Sequence, residues 1–78
     1  MIKEIIESKA WDKGDEIYKP SRVVLLKHTK DNGEVHEYST HIQCQNEELA
    51  LLGKFELYYG HYFCSLEDAK KDFNKREA

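Results

Sequence analysis

LYYGHYFCSLEDAKKDF, residues 57–73, decides the fold because a strand pattern passes directly into a helix pattern. The aromatic run at 57–63 is typical of a β-strand. In the part that follows, the Ser65 hydroxyl and the Asp68 carboxylate have the spacing of a capping box. Three apolar residues then fall on one helical stripe: Leu66, Ala69 and Phe73. The stretch therefore predicts a strand followed by a helix that Ser65 caps.

A β-hairpin is predicted upstream of this stretch. Residues 22–29, RVVLLKHT, are rich in β-branched and apolar side chains, and residues 34–42, EVHEYSTHI, form the return strand. Asp31-Asn32-Gly33 between them is the strongest hairpin signal in the chain. The two strands are therefore expected to pair antiparallel.

The register of this hairpin depends on its turn. A two-residue loop at Asn32-Gly33 and a three-residue loop ending in a Gly33 bulge pair the strands one residue apart. We favour the bulged loop because it sets Lys27 opposite Glu37, which places opposite charges side by side. The other register remains open at this point.

The first residues of the chain have helical spacing. Ile2, Ile5 and Ile6 lie near one side of a helix, which Gly14 would end. The pattern therefore predicts a short N-terminal helix, and the connector that follows it carries the only proline of the chain, Pro20.

Two structures remain open for the segment Asn46-Leu52. Asn46 as N-cap and Gly53 at the end favour a two-turn helix, whereas a hairpin would turn near Leu52-Gly53. The expected fold is an α+β single small domain, residues 1–78, with the order α-β-β-(α)-β-α. It consists of a small three-stranded antiparallel sheet with helices packed on one face. The sequence does not fix which face they cover.

Size and composition limit the core and the range of partners. A chain of 78 residues buries only about 60 to 65% of its unfolded surface, and large aromatic side chains help to fill so thin a core. The 12 basic and 15 acidic residues give a net charge of −3, which opposes a broad phosphate-binding surface.

Composition also bears on location. The first residues mix acids with apolar side chains, unlike a signal peptide, and no apolar segment approaches the roughly 20 residues that cross a bilayer. We therefore expect a cytoplasmic protein that does not enter a membrane. In that compartment Cys44 and Cys64 are expected to be reduced thiols.

A repeated His-x-x-Cys brings together four residues of the types that bind zinc: His41, Cys44, His61 and Cys64. Residues three apart in a strand face opposite sides of the sheet. If the strands pair about Leu52-Gly53, Cys44 lies opposite His61 and His41 lies opposite Cys64, so each face receives only one couple. We therefore expect no metal and no cofactor, and a His/Cys metal-binding domain ranks as the second alternative.

Thiol catalysis uses the same residues differently. Cys64 lies near the N-terminus of the predicted last helix, which lowers a thiol pKa, and His41 or His61 is available as a base. No orienting acid and no oxyanion pocket accompany them in the sequence. We therefore expect no catalytic residue and no enzymatic activity.

An α-β-β-β-α order is that of double-stranded RNA-binding domains, and exposed rings such as Tyr58 and Tyr62 are suited to stacking on bases. Such domains begin their last helix with a strongly basic turn, whereas this helix begins with Glu67 and Asp68. Acidic side chains there repel phosphate. Nucleic-acid binding is therefore the first alternative function, ranked below protein binding.

An aromatic patch is predicted on the sheet. Alternation assigns one set of side chains to the core: Phe55, Leu57, Tyr59, His61 and Phe63. The other side then presents Tyr58 and Tyr62, with Tyr38 nearby and a rim of His36, Lys54 and Glu56. Tyrosines are favoured in protein interfaces, although an amphipathic sheet surface without a partner explains the same pattern.

Three segments of the chain have the pattern of a known group of proteins: QNEE at 45–48, YGHYF at 59–63 and LEDAKKDF at 66–73. They resemble small proteins of Gram-positive bacteria and their phages. The resemblance implies a bacterial or prophage origin and supplies no catalytic residue. The expected function is therefore that of a non-enzymatic interaction protein of phage or mobile-element origin. It would bind a host protein, or self-associate into a homodimer through its sheet.

Overall fold

The computed structural model describes residues 1–12, 20–45 and 56–77. These residues form one antiparallel sheet in the strand order β1-β2-β3-β4, followed by one helix. The elements are β1 (Ile2–Ser8), β2 (Ser21–Thr29), β3 (Val35–Cys44), β4 (Glu56–Phe63) and α1 (Leu66–Lys75). The expected three-stranded sheet with several helices is therefore wrong, and the observed order is β-β-β-β-α.

The N-terminal segment is a strand, where the spacing of its isoleucines predicted a helix. Residues 2–8 pair antiparallel with β2, which sets Glu4 opposite Lys27 and Ile5 opposite Leu26. Isoleucine is β-branched and favours strands. Pairing with β2 supplies the backbone with hydrogen-bond partners along the whole segment, so tertiary pairing overrides the helical spacing.

The hairpin turn has the geometry that the sequence favoured. The Gly33 amide donates to the Lys30 carbonyl oxygen at 2.9 Å, and the Lys30 amide donates to the Glu34 carbonyl oxygen at 2.7 Å. Gly33 has a φ of +89°, a conformation in which glycine carries no steric penalty. The turn is therefore a three-residue loop ending in Gly33.

A second irregularity just beyond the turn changes the register. Thr29 pairs with Val35, but His28 pairs with Glu37, so His36 is an extra residue in β3. As a result Lys27 lies opposite Tyr38, and the expected pairing of Lys27 with Glu37 is wrong. The extra residue returns the strands to the register of a two-residue loop.

The helix packs on one side of the sheet, called here the helix face. Val23 and Leu25 of β2 form the buried core with Ala69 and Phe73 of α1. Partly buried side chains surround them: Ile6, Tyr38, Ile42, Phe63 and Leu66. The apolar stripe predicted for residues 66–73 is thus confirmed as the packing surface of the helix.

The start of α1 is also as predicted. The Ser65 hydroxyl accepts a hydrogen bond from the Asp68 amide at 3.4 Å, and Glu67 and Asp68 lie in the first turn. Acidic side chains in this position interact favourably with the positive end of the helix dipole. Among the described residues no helix has both the length and the apolar character that a membrane span requires.

The end of α1 is held by a residue from the other end of the chain. The Lys9 ammonium donates to the carbonyl oxygens of Asn74 and Arg76, at 3.2 and 2.5 Å. The same ammonium lies 5.4 Å from the centre of the Phe73 ring. A cation at this position satisfies the last carbonyls and complements the helix dipole.

Some predictions fall outside the described residues. These are the helix or hairpin at Asn46-Leu52, the Gly14 helix end, and the positions of Lys54 and Phe55.

Candidate functional site

Strand β4 contains a bulge at its centre. Tyr58 pairs with Ile42 and His61 pairs with Thr40, so Tyr59 and Gly60 together lie opposite the single residue His41. Tyr59 has a φ of +53°, which is uncommon for a residue with a side chain. The bulge therefore interrupts the regular alternation of side chains along β4.

The interruption changes which β4 side chains share a face. Tyr58 and His61 pair with residues of the helix face, whereas Leu57 and Tyr62 pair with Gln43 and Ser39 on the opposite side, called here the second face. The prediction that Leu57 and His61 share the core face is therefore wrong. A bulge inserts one residue, so the side chains beyond it change faces. The residue types do not mark the insertion, and for this reason alternation in the sequence assigns these side chains incorrectly.

The aromatic side chains of β4 are open to solvent. The exposed fractions are 44% for Tyr58, 77% for Tyr59 and 59% for Tyr62, and every residue from 57 to 62 is exposed. The rings of Tyr58 and Tyr59 have their centres 6.4 Å apart. The Tyr58 hydroxyl donates to Glu56 at 2.6 Å, and this hydrogen bond raises the pKa of Tyr58.

The predicted aromatic patch is only partly brought together. Tyr38 is half-buried and packs against the core on the helix face. His36 is exposed beside the hairpin turn, 4.0 Å from Glu37. Tyr58 and Tyr62 lie on opposite faces of the same edge strand. The exposed aromatic surface is thus the outer edge of β4, defined by Leu57, Tyr58, Tyr59 and Tyr62.

A buried polar cluster lies on the second face, beside β4. The Ser39 hydroxyl is 2.6 Å from Nε2 of His28 and 2.8 Å from Nε2 of His41. All three residues are buried, and the Ser39 side chain is fully enclosed. The Tyr62 ring packs against both imidazoles, with centres 6.1 Å from His28 and 5.7 Å from His41.

Burial determines the protonation of this cluster. Desolvation lowers the pKa of His28 and of His41 below the ordinary value of 6.5, because an enclosed imidazolium loses its hydration. Glu37 acts in the opposite direction on His28, and Lys3 and His36 reinforce the lowering. For His41 the reinforcing charges are those of His28, Arg76, Lys3 and His61. Burial therefore favours the neutral form of both rings.

His28 belongs to the buried cluster although sequence reasoning did not identify it as a buried residue. A histidine close to a hairpin tip is most simply a solvated polar residue, but the exposed fraction of His28 is 3%. Ser39, His41 and Gln43 alternate along β3, and alternating polar residues normally indicate a solvent-facing strand. The signal that could have found the cluster is the occurrence of two histidines and a serine at positions that share one face of the sheet once the hairpin forms.

The polar cluster continues along the second face toward the other end of the strands. Gln43 is buried and accepts a hydrogen bond from Nε of Arg22 at 2.6 Å. The Arg22 guanidinium stacks on the Trp11 ring with 4.5 Å to the ring centre. These contacts satisfy the polar groups that the sheet buries, as buried polar groups require.

The cluster contains a serine and two histidines, which are the residue types of a nucleophile and its base. Its geometry, however, does not suit catalysis. A catalytic serine must present its oxygen to a substrate, whereas Ser39 has an exposed fraction of 0%. Its hydroxyl bonds to two imidazoles at once, which holds it in place. The arrangement is suited to ordering β2, β3 and β4 relative to one another.

A second polar cluster joins α1 to the sheet. Oδ2 of Asp72 accepts hydrogen bonds from the Thr40 hydroxyl at 2.5 Å and from Nδ1 of His61 at 2.9 Å. Arg76 Nη1 donates to the Thr40 carbonyl and hydroxyl oxygens, both at 3.0 Å. Burial alone would raise the pKa of Asp72, but the hydrogen bonds from Thr40 and His61 outweigh it and lower the pKa. The carboxylate is thereby held ionised.

The four His-x-x-Cys residues do not converge. Cys44 pairs with Glu56 and His61 with Thr40, so the expected pairing of Cys44 with His61 is wrong. Within residues 1–12, 20–45 and 56–77, no three His, Cys, Asp or Glu side chains form a group suited to holding a metal ion. Neither Cys44 nor Cys64 forms a disulfide.

Comparison with known proteins assigns no family. No protein-family model matches the chain, and no curated protein or solved structure is significantly similar to it. Function is therefore inferred from the surface and the clusters of this chain.

Proposed function

We propose that this protein is a non-enzymatic interaction domain that binds a protein partner along the outer edge of β4. The observation that carries the proposal is the exposure of Tyr58, Tyr59 and Tyr62 on one edge strand. A domain this small has few large side chains for its core. Three of its tyrosines nevertheless face solvent.

Edge strands and tyrosines are both features of protein recognition. An edge strand offers backbone donors and acceptors to an added strand, and side chains on either face then select the partner. Tyrosine buries a large area at a low entropic cost because it has few rotatable bonds. β4 is the last strand of the sheet formed by the described residues, and among these residues no strand pairs with its outer edge.

The charges at the end of β4 favour a protein partner over a nucleic acid. Glu67 and Asp68 occupy the first turn of α1, close to the end of the aromatic strand, and they repel phosphate. The α-β-β-β-α order that favoured RNA binding is replaced by a sheet whose first element is β1. We therefore place protein binding ahead of RNA binding.

Site-specific photocrosslinking tests this function. A benzophenone amino acid replaces Tyr59, whose side chain is the most exposed on β4, and the protein is irradiated in the cells that produce it. Mass spectrometry then identifies the crosslinked species. The matched control places the same amino acid at Lys71, an exposed position on α1.

A single crosslinked species at position 59 that is missing at position 71 supports the proposal. The double change Tyr58→Ala with Tyr62→Ala, introduced beside the crosslinker, is expected to abolish that species, and circular dichroism verifies that the variant is folded. Equal crosslinking from both positions, or none from position 59, would refute a binding function for β4.

A further inference from the structure

We propose that the partner at the β4 edge is a second copy of this chain, paired antiparallel through β4. The two-fold axis passes between Tyr59 and Gly60 and runs perpendicular to the sheet. This inference rests on the proposed function, because it names the occupant of the same edge. It joins two sheets of four strands into one continuous sheet of eight.

The bulge gives β4 a symmetry that a regular strand lacks. A perpendicular two-fold axis keeps each face of the sheet on its own side, so residues set opposite each other must share a face. Rotation about the point between Tyr59 and Gly60 exchanges Leu57 with Tyr62 and Tyr58 with His61. In a regular strand such pairs face opposite sides, because each pair is an odd number of residues apart.

In β4 each exchanged pair lies on one face. Leu57 and Tyr62 share the second face, and Tyr58 and His61 share the helix face, because the extra residue of the bulge lies between them. These two contacts across the axis therefore occur between side chains on the same side of the combined sheet.

The backbone has the same symmetry. Tyr58 and His61 pair with Ile42 and Thr40, which are two residues apart in β3 and so have the same hydrogen-bonding phase. The backbone groups of Tyr58 and His61 therefore point in the same direction, either toward β3 or away from it. Leu57 and Tyr62 pair with Gln43 and Ser39, which are four residues apart in β3. The backbone groups of Leu57 and Tyr62 therefore also point in the same direction as each other. Outward-pointing groups thus meet outward-pointing groups across the axis.

The side chains that meet are compatible. Leu57 of one copy lies opposite Tyr62 of the other on the second face, and both are exposed in the single chain. An aliphatic side chain opposite an aromatic ring is a favourable cross-strand pair. Tyr58 lies opposite His61 on the helix face. No two like charges are set opposite each other, because Glu56 lies opposite Phe63.

The other edge of the sheet is less suited to self-pairing. β1 presents charged side chains at Lys3, Glu4 and Glu7, and its register with β2 shifts between Ile5 and Glu7. The shift places Lys3 and Glu7 on opposite faces, so pairing about Ile5 does not bring these charges together. Charges on an edge strand oppose the addition of a second strand.

Sedimentation equilibrium of the full chain over a range of concentrations tests the inference. The wild type is expected to form a dimer, and Leu57→Glu is expected to weaken the dimer at least about tenfold, as loss of a central interface contact does. Ile2→Glu is the matched control, since Ile2 is an exposed isoleucine on β1 with an exposed fraction of 63%. This control should dimerise as the wild type does. Circular dichroism verifies that each variant is folded.

A charge-pairing experiment tests the register. Leu57→Glu mixed with Tyr62→Lys is expected to form a heterodimer, because the two new charges then lie opposite each other. The mixture of Leu57→Glu with His61→Lys should not form one, because His61 lies on the other face. Equal association in both mixtures would overturn the proposed axis.

The outcomes separate this inference from the proposed function. A chain that stays monomeric at all concentrations, while Tyr59 crosslinks to a different protein, overturns the self-association and leaves the binding function of β4 in place. Dissociation by Ile2→Glu but not by Leu57→Glu assigns the dimer to β1 and overturns the inference. A monomer without crosslinks at position 59 refutes both proposals.

Discussion

At the scale of single residues, Gly60 allows the His41 ring to lie against the backbone of β4. A Cβ atom at position 60 would be 2.7 Å from Cε1 and 3.0 Å from Nδ1 of His41, and 3.1 Å from Cε2 of Tyr62. Movement of the His41 ring would cost free energy, because its Nε2 atom forms a hydrogen bond with the Ser39 hydroxyl. A glycine on β4 and a buried cluster on β3 thus depend on each other.

Gly60→Ala is therefore expected to lower the free energy of unfolding by about 1 to 3 kcal/mol, as overpacking in a close-packed region does. Chemical denaturation measures the loss. The double variant Gly60→Ala with His41→Ala should show that the two changes are not additive, because the added methyl group then has no imidazole to meet. Strict additivity would mean that the His41 ring is not what Gly60 accommodates.

The buried histidines also make stability depend on pH. The folded-state pKa of His28 and of His41 lies below the ordinary value of 6.5, so the unfolded chain binds more protons than the folded one as the pH falls below 6.5. The free energy of unfolding should be highest above pH 6.5. It should decrease on acidification, by at most about 1.4 kcal/mol per pH unit for each histidine.

Chemical denaturation at pH values from about 7.5 to about 5 measures how the free energy of unfolding changes with pH. The double variant His28→Gln with His41→Gln should show a smaller change. Asp72 does not interfere, because its lowered pKa stabilises the fold above the ordinary value of 3.8 and the effect is lost only in more acidic solution. An unchanged slope in the double variant would show that the cluster is not the source of the pH dependence.

At the scale of elements, α1 is the part of the fold that the sequence predicted best. Its cap at Ser65, its acidic first turn and its apolar stripe are local features that lie within one stretch of chain. The β2-β3 hairpin was found for the same reason, since Asp31-Asn32-Gly33 contains its own turn signal. What local patterns could not show was β1, because the strand at 2–8 exists through its pairing with residues some 20 positions away.

Phe73→Ala tests how strongly α1 is docked. Phe73 is buried against Val23 and Leu25, so its removal leaves a cavity between helix and sheet and should cost about 3 to 5 kcal/mol. A thermal melt measures the loss. Lys71→Ala on the exposed side of the same helix should have little effect.

Both substitutions lie on α1, Phe73→Ala on its packed face and Lys71→Ala on its exposed face. Similar melting temperatures for Phe73→Ala and the wild type would contradict the packing of α1 on Val23 and Leu25.

At the scale of the whole molecule, the sheet has a protected centre and two exposed edges. Four of the nine residues of β2 are fully apolar and buried, whereas most of β1 and β4 is exposed. The number of strands was not predictable from composition. The exposure of Tyr58 and Tyr62 was predicted, whereas Tyr59 was assigned to the core and is 77% exposed. Alternation in the sequence could not reveal the bulge at Tyr59 and Gly60, because the bulge is defined by pairing with His41 on the neighbouring strand.

Native-state hydrogen exchange tests this division. Backbone amides of β2 and β3 are expected to exchange most slowly, because both strands have neighbours on either side. Amides of β4 that point outward should exchange fast in dilute protein and become slower at concentrations that favour the dimer. Concentration-independent exchange along β4, in a sample shown to be dimeric, would place the contact elsewhere.

The order of the elements along the chain has a consequence for synthesis on the ribosome. The four strands of the described part of the chain precede α1, and α1 supplies Ala69 and Phe73 to cover the helix face. A domain generally folds as a unit, so the sheet lacks its covering helix until residues 66–75 have emerged. While residues 66–75 are still inside the ribosome, the nascent chain therefore exposes Val23 and Leu25 to solvent. Quality-control factors that bind apolar strands can act on the chain during this interval.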